Sequence, residues 1–184
     1  MFKNKTFKLV CGVSFILFAI SFVVWAVFRL SLAVGFDNNC AQHIKRAAKA
    51  VTVEEARESL KVAVAYIEQE GLTEGYTSIF YRSKDENVKL WYSKVKGSLR
   101  GLEKITSGTT RDGELKMLIQ LKKALFKSSP IGDVVILPPG ISAYPHNIFL
   151  FCWGMISFII CVVCIMILDR IVVIRDDEIS GGFV

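Results

Sequence analysis

Histidine, proline and cysteine are scarce in this chain, with two, four and five copies among 184 residues. His43 and His146 lie far apart, with no Cys, Asp or Glu at ligand spacing. That excludes a zinc cage, which needs three or four convergent ligands. Four prolines exclude a collagenous or proline-rich chain. Cys11, Cys152, Cys161 and Cys164 fall in apolar runs, which leaves Cys40 alone in the polar middle. One cysteine cannot form an internal disulfide, so the middle region does not depend on an oxidising compartment. No GxSxG elbow, Walker A loop, HExxH helix or Rossmann glycine fingerprint occurs. We therefore expect no catalytic residue, no cofactor and no bound metal, and a protein that is not an enzyme.

Charge is also missing from two long stretches. Leu9 to Phe28 and Asn147 to Leu168 contain no ionisable side chain other than cysteine. An intramembrane enzyme or a single-chain transporter needs such groups inside its spans, so both readings are disfavoured. What these stretches do have is length. A hydrocarbon core of about 30 Å needs about 20 apolar residues in a helix, and both runs reach that. Neither shows the polar face that a buried core helix of a soluble domain would carry. The first run resembles a signal peptide, with Lys3, Lys5 and Lys8 ahead of it and Ser31-Leu32-Ala33 behind. Its apolar core is longer than the usual 7–15 residues of a cleaved signal, so an uncleaved signal anchor is the preferred reading.

Flanking charges orient the spans. Lys3, Lys5 and Lys8 precede the first, Arg170 and Arg175 follow the second, and residues 128–146 contain no Lys or Arg. The positive-inside rule then puts both termini in the cytoplasm and the intervening loop outside. The net charge is +6, but residues 35–146 carry 17 Lys and Arg against 13 Asp and Glu, spread without a stripe. A nucleic-acid binder concentrates its basic charge, so no nucleic-acid partner is expected.

Between the spans, apolar residues recur at spacings of three and four. Cys40, Ile44, Ala47 and Val51 form one set, and Val53, Ala56, Leu60, Ala63 and Ile67 a second. Val88, Tyr92, Val95, Leu99 and Leu102 form a third, and Leu118, Leu121 and Leu125 a fourth. Each set makes one stripe of a helix, the pattern of bundle packing. Thr52 with Glu55 predicts a capping box, and Gly71 a left-handed helix stop. Ser83 or Asp85 starts the third helix, with Gly108 after its end; Thr110 or Asp112 starts the fourth, with Pro130 closing it. The predicted helices cover 36–51, 53–70, 85–105 and 113–127.

Two connections are more than turns. Residues 71–84 form a long apolar-centred loop, in which Ile79, Phe80 and Tyr81 either close the bundle end or offer a contact surface. Residues 131–146 read as an extended arm: Val134 to Leu137 as a short strand, then a Pro138-Pro139-Gly140 bend. Tyr144 and His146 are placed at headgroup level. The paired carboxylates Glu54/Glu55 and Asp85/Glu86 fall in first helical turns, where the helix dipole accounts for them.

The run Tyr66-Ile67-Glu68, Gly71-Leu72-Thr73-Glu74-Gly75-Tyr76-Thr77-Ser78-Ile79, then Asp85, Trp91-Tyr92 and Val95-Lys96 resembles uncharacterised bacterial membrane proteins with an amino-terminal anchor and a helical outer domain. The similar stretch covers about thirty residues and includes no catalytic motif. The resemblance implies that Thr73 to Ile79 and Trp91-Tyr92 form one structural unit, the loop closing on the third helix.

The expected fold is an all-α membrane protein in which two transmembrane helices flank a four-helix bundle, with a short extended arm before the second span. Its parts are a cytoplasmic N-terminus (1–8), a first span (9–28), an extracytoplasmic helical domain (29–130), a Pro/Gly linker (131–146), a second span (147–168) and a short cytoplasmic tail (169–184). The expected location is a bacterial inner or plasma membrane. The expected function is non-enzymatic: an accessory, assembly or scaffolding subunit that binds another membrane or envelope component, or a second copy of itself. The alternative is a small-ligand sensing domain that signals through a partner protein. Aromatic anchors dominate interfaces, which makes Tyr76, Ile79, Phe80, Tyr81, Trp91 and Tyr92 the candidate partner contacts.

Overall fold

The computed structural model describes residues 2–80, 82–105, 110–129 and 132–180. The chain is mostly helical. It divides into two compact units: residues 1–30 with 148–184, and residues 31–147.

The first unit contains the two helices that are long and apolar enough to cross a membrane. Helix α1 runs Phe2–Phe36, and helix α6 runs Asn147–Ser180, beyond the apolar run that ends at Leu168. Their facing sides are polar and aromatic. Trp25 Nε1 donates to the Leu150 carbonyl at 2.7 Å, and Trp153 Nε1 donates to Ser21 Oγ at 3.0 Å. Ser21 Oγ lies 3.3 Å from Ser157 Oγ, and Ser157 is 1% exposed. Phe22 stacks on Trp25 with ring centroids 5.2 Å apart. Gly154 makes room for this packing, since a Cβ there would come within 2.7 Å of the Trp25 ring. In hydrocarbon, small residues and side-chain hydrogen bonds of this kind hold helices together where hydrophobicity cannot. Cys11 and Cys164 are buried in the same unit.

The second unit begins with the end of α1, passes through a π-turn at Asp37–Ala41 and continues as α2 (Gln42–Lys49). Helices α3 (Val53–Gln69), α4 (Val88–Glu103) and α5 (Arg111–Leu125) follow. Helix α3 packs against α2, α4 and α5, and α5 also touches α2 and α4. Leu60, Ile67, Val88, Val95 and Leu102 are fully buried, each contributing about 1.5–3 kcal/mol by leaving water. The expected cap at the start of α3 forms in one half: Thr52 accepts from the Glu55 amide at 3.3 Å, while Glu55 Oε2 reaches past Thr52 to accept from the Val51 amide at 3.4 Å. Gly71, at φ +68°, ends α3 in a Schellman turn, with the Leu72 amide donating to Ile67 and the Gly71 amide to Glu68.

Several boundaries differ from the spacing-based expectations. The first expected helix, 36–51, is a continuation of α1 through the π-turn, and it ends at Lys49. Val51 therefore leaves the core stripe and is 85% exposed, because its amide serves the α3 cap. Helix α4 starts at Val88 rather than 85, capped by Asn87 Oδ1 accepting from the Leu90 amide at 3.0 Å. Ser83 instead donates from its amide and its hydroxyl to Glu86 Oε2, so 83–87 belongs to a turn. In the third stripe, Trp91 is buried and Tyr92 sits half-buried at its flank.

Helix α5 ends at Leu125, two residues early, because Phe126–Ser129 forms strand β1. β1 pairs antiparallel with β2 (Gly132–Val135), with Phe126 opposite Val135 and Ser129 opposite Gly132. The expected extended arm is thus one side of a hairpin. Gly108 and Pro130, expected to terminate α4 and α5, lie outside the described residues. After the hairpin, Pro138-Pro139-Gly140 makes the expected bend. Gly140 takes φ +73° and leads into a 3-10 turn at Ile141–Ala143, whose ends are buried.

Candidate functional site

The hairpin and the first turns of α4 enclose a groove of about 800 Å³. One wall is the extended run Val134-Val135-Ile136-Leu137-Pro138-Pro139, and the other is Asn87, Leu90 and Trp91. The walls are tied together by Trp91 Nε1, which donates to the Ile136 carbonyl at 3.0 Å. Leu90, Val134 and Ile136 are exposed apolar side chains, at 46%, 55% and 36%. Around them stand three exposed lysines, Lys84, Lys94 and Lys127, against one carboxylate, Asp85. The described ion pairs engage none of these four groups. The groove combines an apolar floor with a cationic rim.

Loop 71–87 closes onto this wall. The Thr77 amide donates to the Glu86 carbonyl and the Val88 amide to the Gly75 carbonyl, both at 3.0 Å. Tyr76 and Asn87 form a bridge, and Asn87 Nδ2 also donates to Tyr76 Oη at 3.2 Å. The Arg82 guanidinium sits 5.4 Å from the centre of the Tyr76 ring. The Glu86 carboxyl is held below its usual range chiefly by hydrogen bonds from Ser83, so it stays an anion that pins the loop.

The candidate contacts therefore fall in different places. Tyr76 and Phe80 are exposed, at 37% and 73%, and Tyr76 adjoins the groove through Asn87. Ile79 is half-buried, and Tyr81 lies outside the described residues. Trp91 is 5% exposed; its ring is core, 6.5 Å from that of Phe36, and little of it faces the groove. The Tyr92 hydroxyl donates to Glu68 Oε1, and Lys96 Nζ reaches the same oxygen at 2.7 Å. This cluster links α3 to α4.

The sequence reading missed the groove residues Leu90, Lys94 and Lys127, which stand off the helical stripes and come together only when the hairpin folds back. It also missed a tie at the end of the domain. The Tyr144 hydroxyl donates to the Glu74 carbonyl at 2.8 Å, and Asn147 Nδ2 donates to the Thr77 carbonyl. Gly75, at φ +101°, is required there, because a Cβ would run into the Tyr144 hydroxyl. Among the described residues no group of three His, Cys, Asp or Glu side chains is placed to hold a metal ion. No family model, curated protein or solved structure matches this chain.

Proposed function

We propose that this chain is a non-enzymatic accessory or assembly subunit of a membrane complex. In this reading α1 and α6 anchor it in a bacterial inner or plasma membrane. Both termini are cytoplasmic, and the four helices α2–α5 form an extracytoplasmic bundle that binds another membrane or envelope component. The observation that carries the reading is the exposed apolar set Leu90, Val134 and Ile136, gathered in one groove. Contiguous apolar surface on a domain that already has a complete core marks an interaction site.

Two measurements test it. In a cysteine-free background, Val51→Cys, at the most exposed large apolar position of the domain, is labelled in intact cells with a membrane-impermeant maleimide. Labelling before lysis is expected; labelling only after lysis would make the domain cytosolic. Native electrophoresis after extraction in mild detergent is then expected to show a complex much larger than the chain, dismantled by Leu90→Asp with Val134→Asp. A chain that migrates alone sinks the accessory reading. The groove's volume also lies in the range of small-molecule sites, about 300–1,000 Å³, which favours the sensing alternative. Thermal stabilisation by a metabolite, with no large complex, would select it.

A further inference from the structure

We infer that the groove between α4 and the hairpin is a docking site for an extended, acidic segment of the partner protein. This deepens the accessory-subunit reading and rests on it. The shape argues for an extended occupant. One whole wall is six consecutive residues, Val134 to Pro139, running from a strand into a polyproline bend, so the groove is long and follows a chain direction.

The backbone limits how such a segment engages. The Ile136 amide donates to the Leu125 carbonyl at 2.9 Å, which turns it toward the β1 side. Antiparallel alternation then directs the Val135 amide and carbonyl to the opposite edge of β2. Among the described residues the sheet has two strands, so no third strand covers that edge. Val135 itself is 7% exposed, so an extended segment engages this strand through the exposed side chains of Val134 and Ile136 rather than through that edge.

Charge selects the composition. Lys84, Lys94 and Lys127 come from three separate elements and ring an apolar floor, with Asp85 as the one opposing group. A segment alternating apolar and acidic residues satisfies both features: apolar side chains meet Leu90, Val134 and Ile136, and carboxylates meet the lysines. An anionic lipid surface would meet the charges but is flat, and leaves the groove unused.

The test uses the full-length chain in detergent micelles and a short fluorescent peptide alternating glutamate and valine, read by anisotropy. The glutamate peptide is expected to bind about tenfold tighter than its glutamine counterpart, the summed effect of three rim ion pairs. That advantage is expected to vanish at about 1 M salt, where the screening length falls to about 3 Å. The triple variant Lys84→Glu, Lys94→Glu, Lys127→Glu should lose the preference and favour a lysine–valine peptide instead. These lysines are exposed, so the variant keeps its fold, checked by its thermal melt. Equal binding of the glutamate and glutamine peptides overturns the inference, as does a triple variant that binds like the parent. Displacement of the peptide by phosphatidylglycerol vesicles overturns it in favour of a lipid ligand. A native complex dismantled by Leu90→Asp with Val134→Asp but intact in the triple lysine variant keeps the accessory reading and discards the acidic segment.

Discussion

The two units are held together by different kinds of contact. In the unit of α1 and α6, side-chain hydrogen bonds of Ser21, Ser157, Trp25 and Trp153 join the helices beside buried Cys11, Leu150 and Cys164, while Leu9, Leu17, Ile20, Ile156 and Ile159 face outward. In the unit of α2 to α5, Ala56, Leu60, Ala63 and Ile67 are inside, and Lys45, Glu58 and Lys61 are outside. The same helical backbone thus serves two solvents. Where water surrounds the helices, burying apolar area holds them together. Where lipid would surround them, apolar contact gives no preference, and hydrogen bonds with close packing must do it.

The largest test of this contrast is in the water-facing core. Leu60→Ala should cost the domain about 2–5 kcal/mol, read as a lower thermal midpoint in detergent, because Leu60 has no exposed surface. A change under about 0.5 kcal/mol, the size of an ordinary surface substitution, would mean that this core does not carry the domain.

Next comes the packing of the two long helices. With Ser21→Cys and Ser157→Cys in a cysteine-free background, oxidation should join α1 to α6, since the two Oγ atoms lie 3.3 Å apart. Adding Gly154→Leu overpacks against Trp25 by about 1–3 kcal/mol and should sharply reduce that cross-link. An unchanged yield would show that the Trp25–Gly154 contact does not set the spacing.

A subtler probe is the tie at Gly75. Gly75→Ala is expected to destabilise the domain by about 1–3 kcal/mol through its positive φ and the Tyr144 hydroxyl. In a Tyr144→Phe background the penalty should shrink, since the clashing oxygen is gone; a strictly additive double mutant would deny the contact.

The smallest effect is electrostatic and belongs to the water-facing unit alone. Glu68 lies below its usual value of 4.5 because Lys96, and then Tyr92, donate to it. Its stabilising share is therefore complete above 4.5 and lost as pH falls through the lowered value. Lys96 lies above its usual 10.5 because Glu68 accepts from it, so its share is complete below 10.5 and lost as pH rises through the raised value. Both groups are open to solvent, and thermal midpoints should shift only slightly at the two pH extremes. Glu68→Gln should flatten both limbs, while unchanged limbs would show the cluster to be energetically silent.

Legibility followed the range of the interactions. The α3 stripe from Val53 to Ile67, its Thr52 cap and its Gly71 stop are set by neighbours within one or two turns, and spacing located them to within a residue. Trp91 was harder. Its ring is core because the Ile136 carbonyl, forty-five residues later, accepts from its indole, and nothing in the local pattern separates it from Tyr92. The hairpin was half visible: Val134 to Leu137 announced an extended run, but its partner Phe126–Ser129 directly continues a helix and carries no turn signal ahead of it. The groove depended on both, so the exposed aromatics were nameable from sequence while Leu90 and Lys127 were not.

The π-turn at Asp37–Ala41 has a consequence for how this chain tolerates change. A π-turn holds one residue more than the α-helix around it, and one residue is roughly 100° of rotation about the helix axis. Everything after it is re-phased relative to α1, and Cys40, Ile44 and Ala47 share one buried side. Removing one residue at Asn38 or Asn39 would restore a plain helix and swing that side away from α3. The turn works as a phase adjuster, setting which side of α2 enters the core against α3.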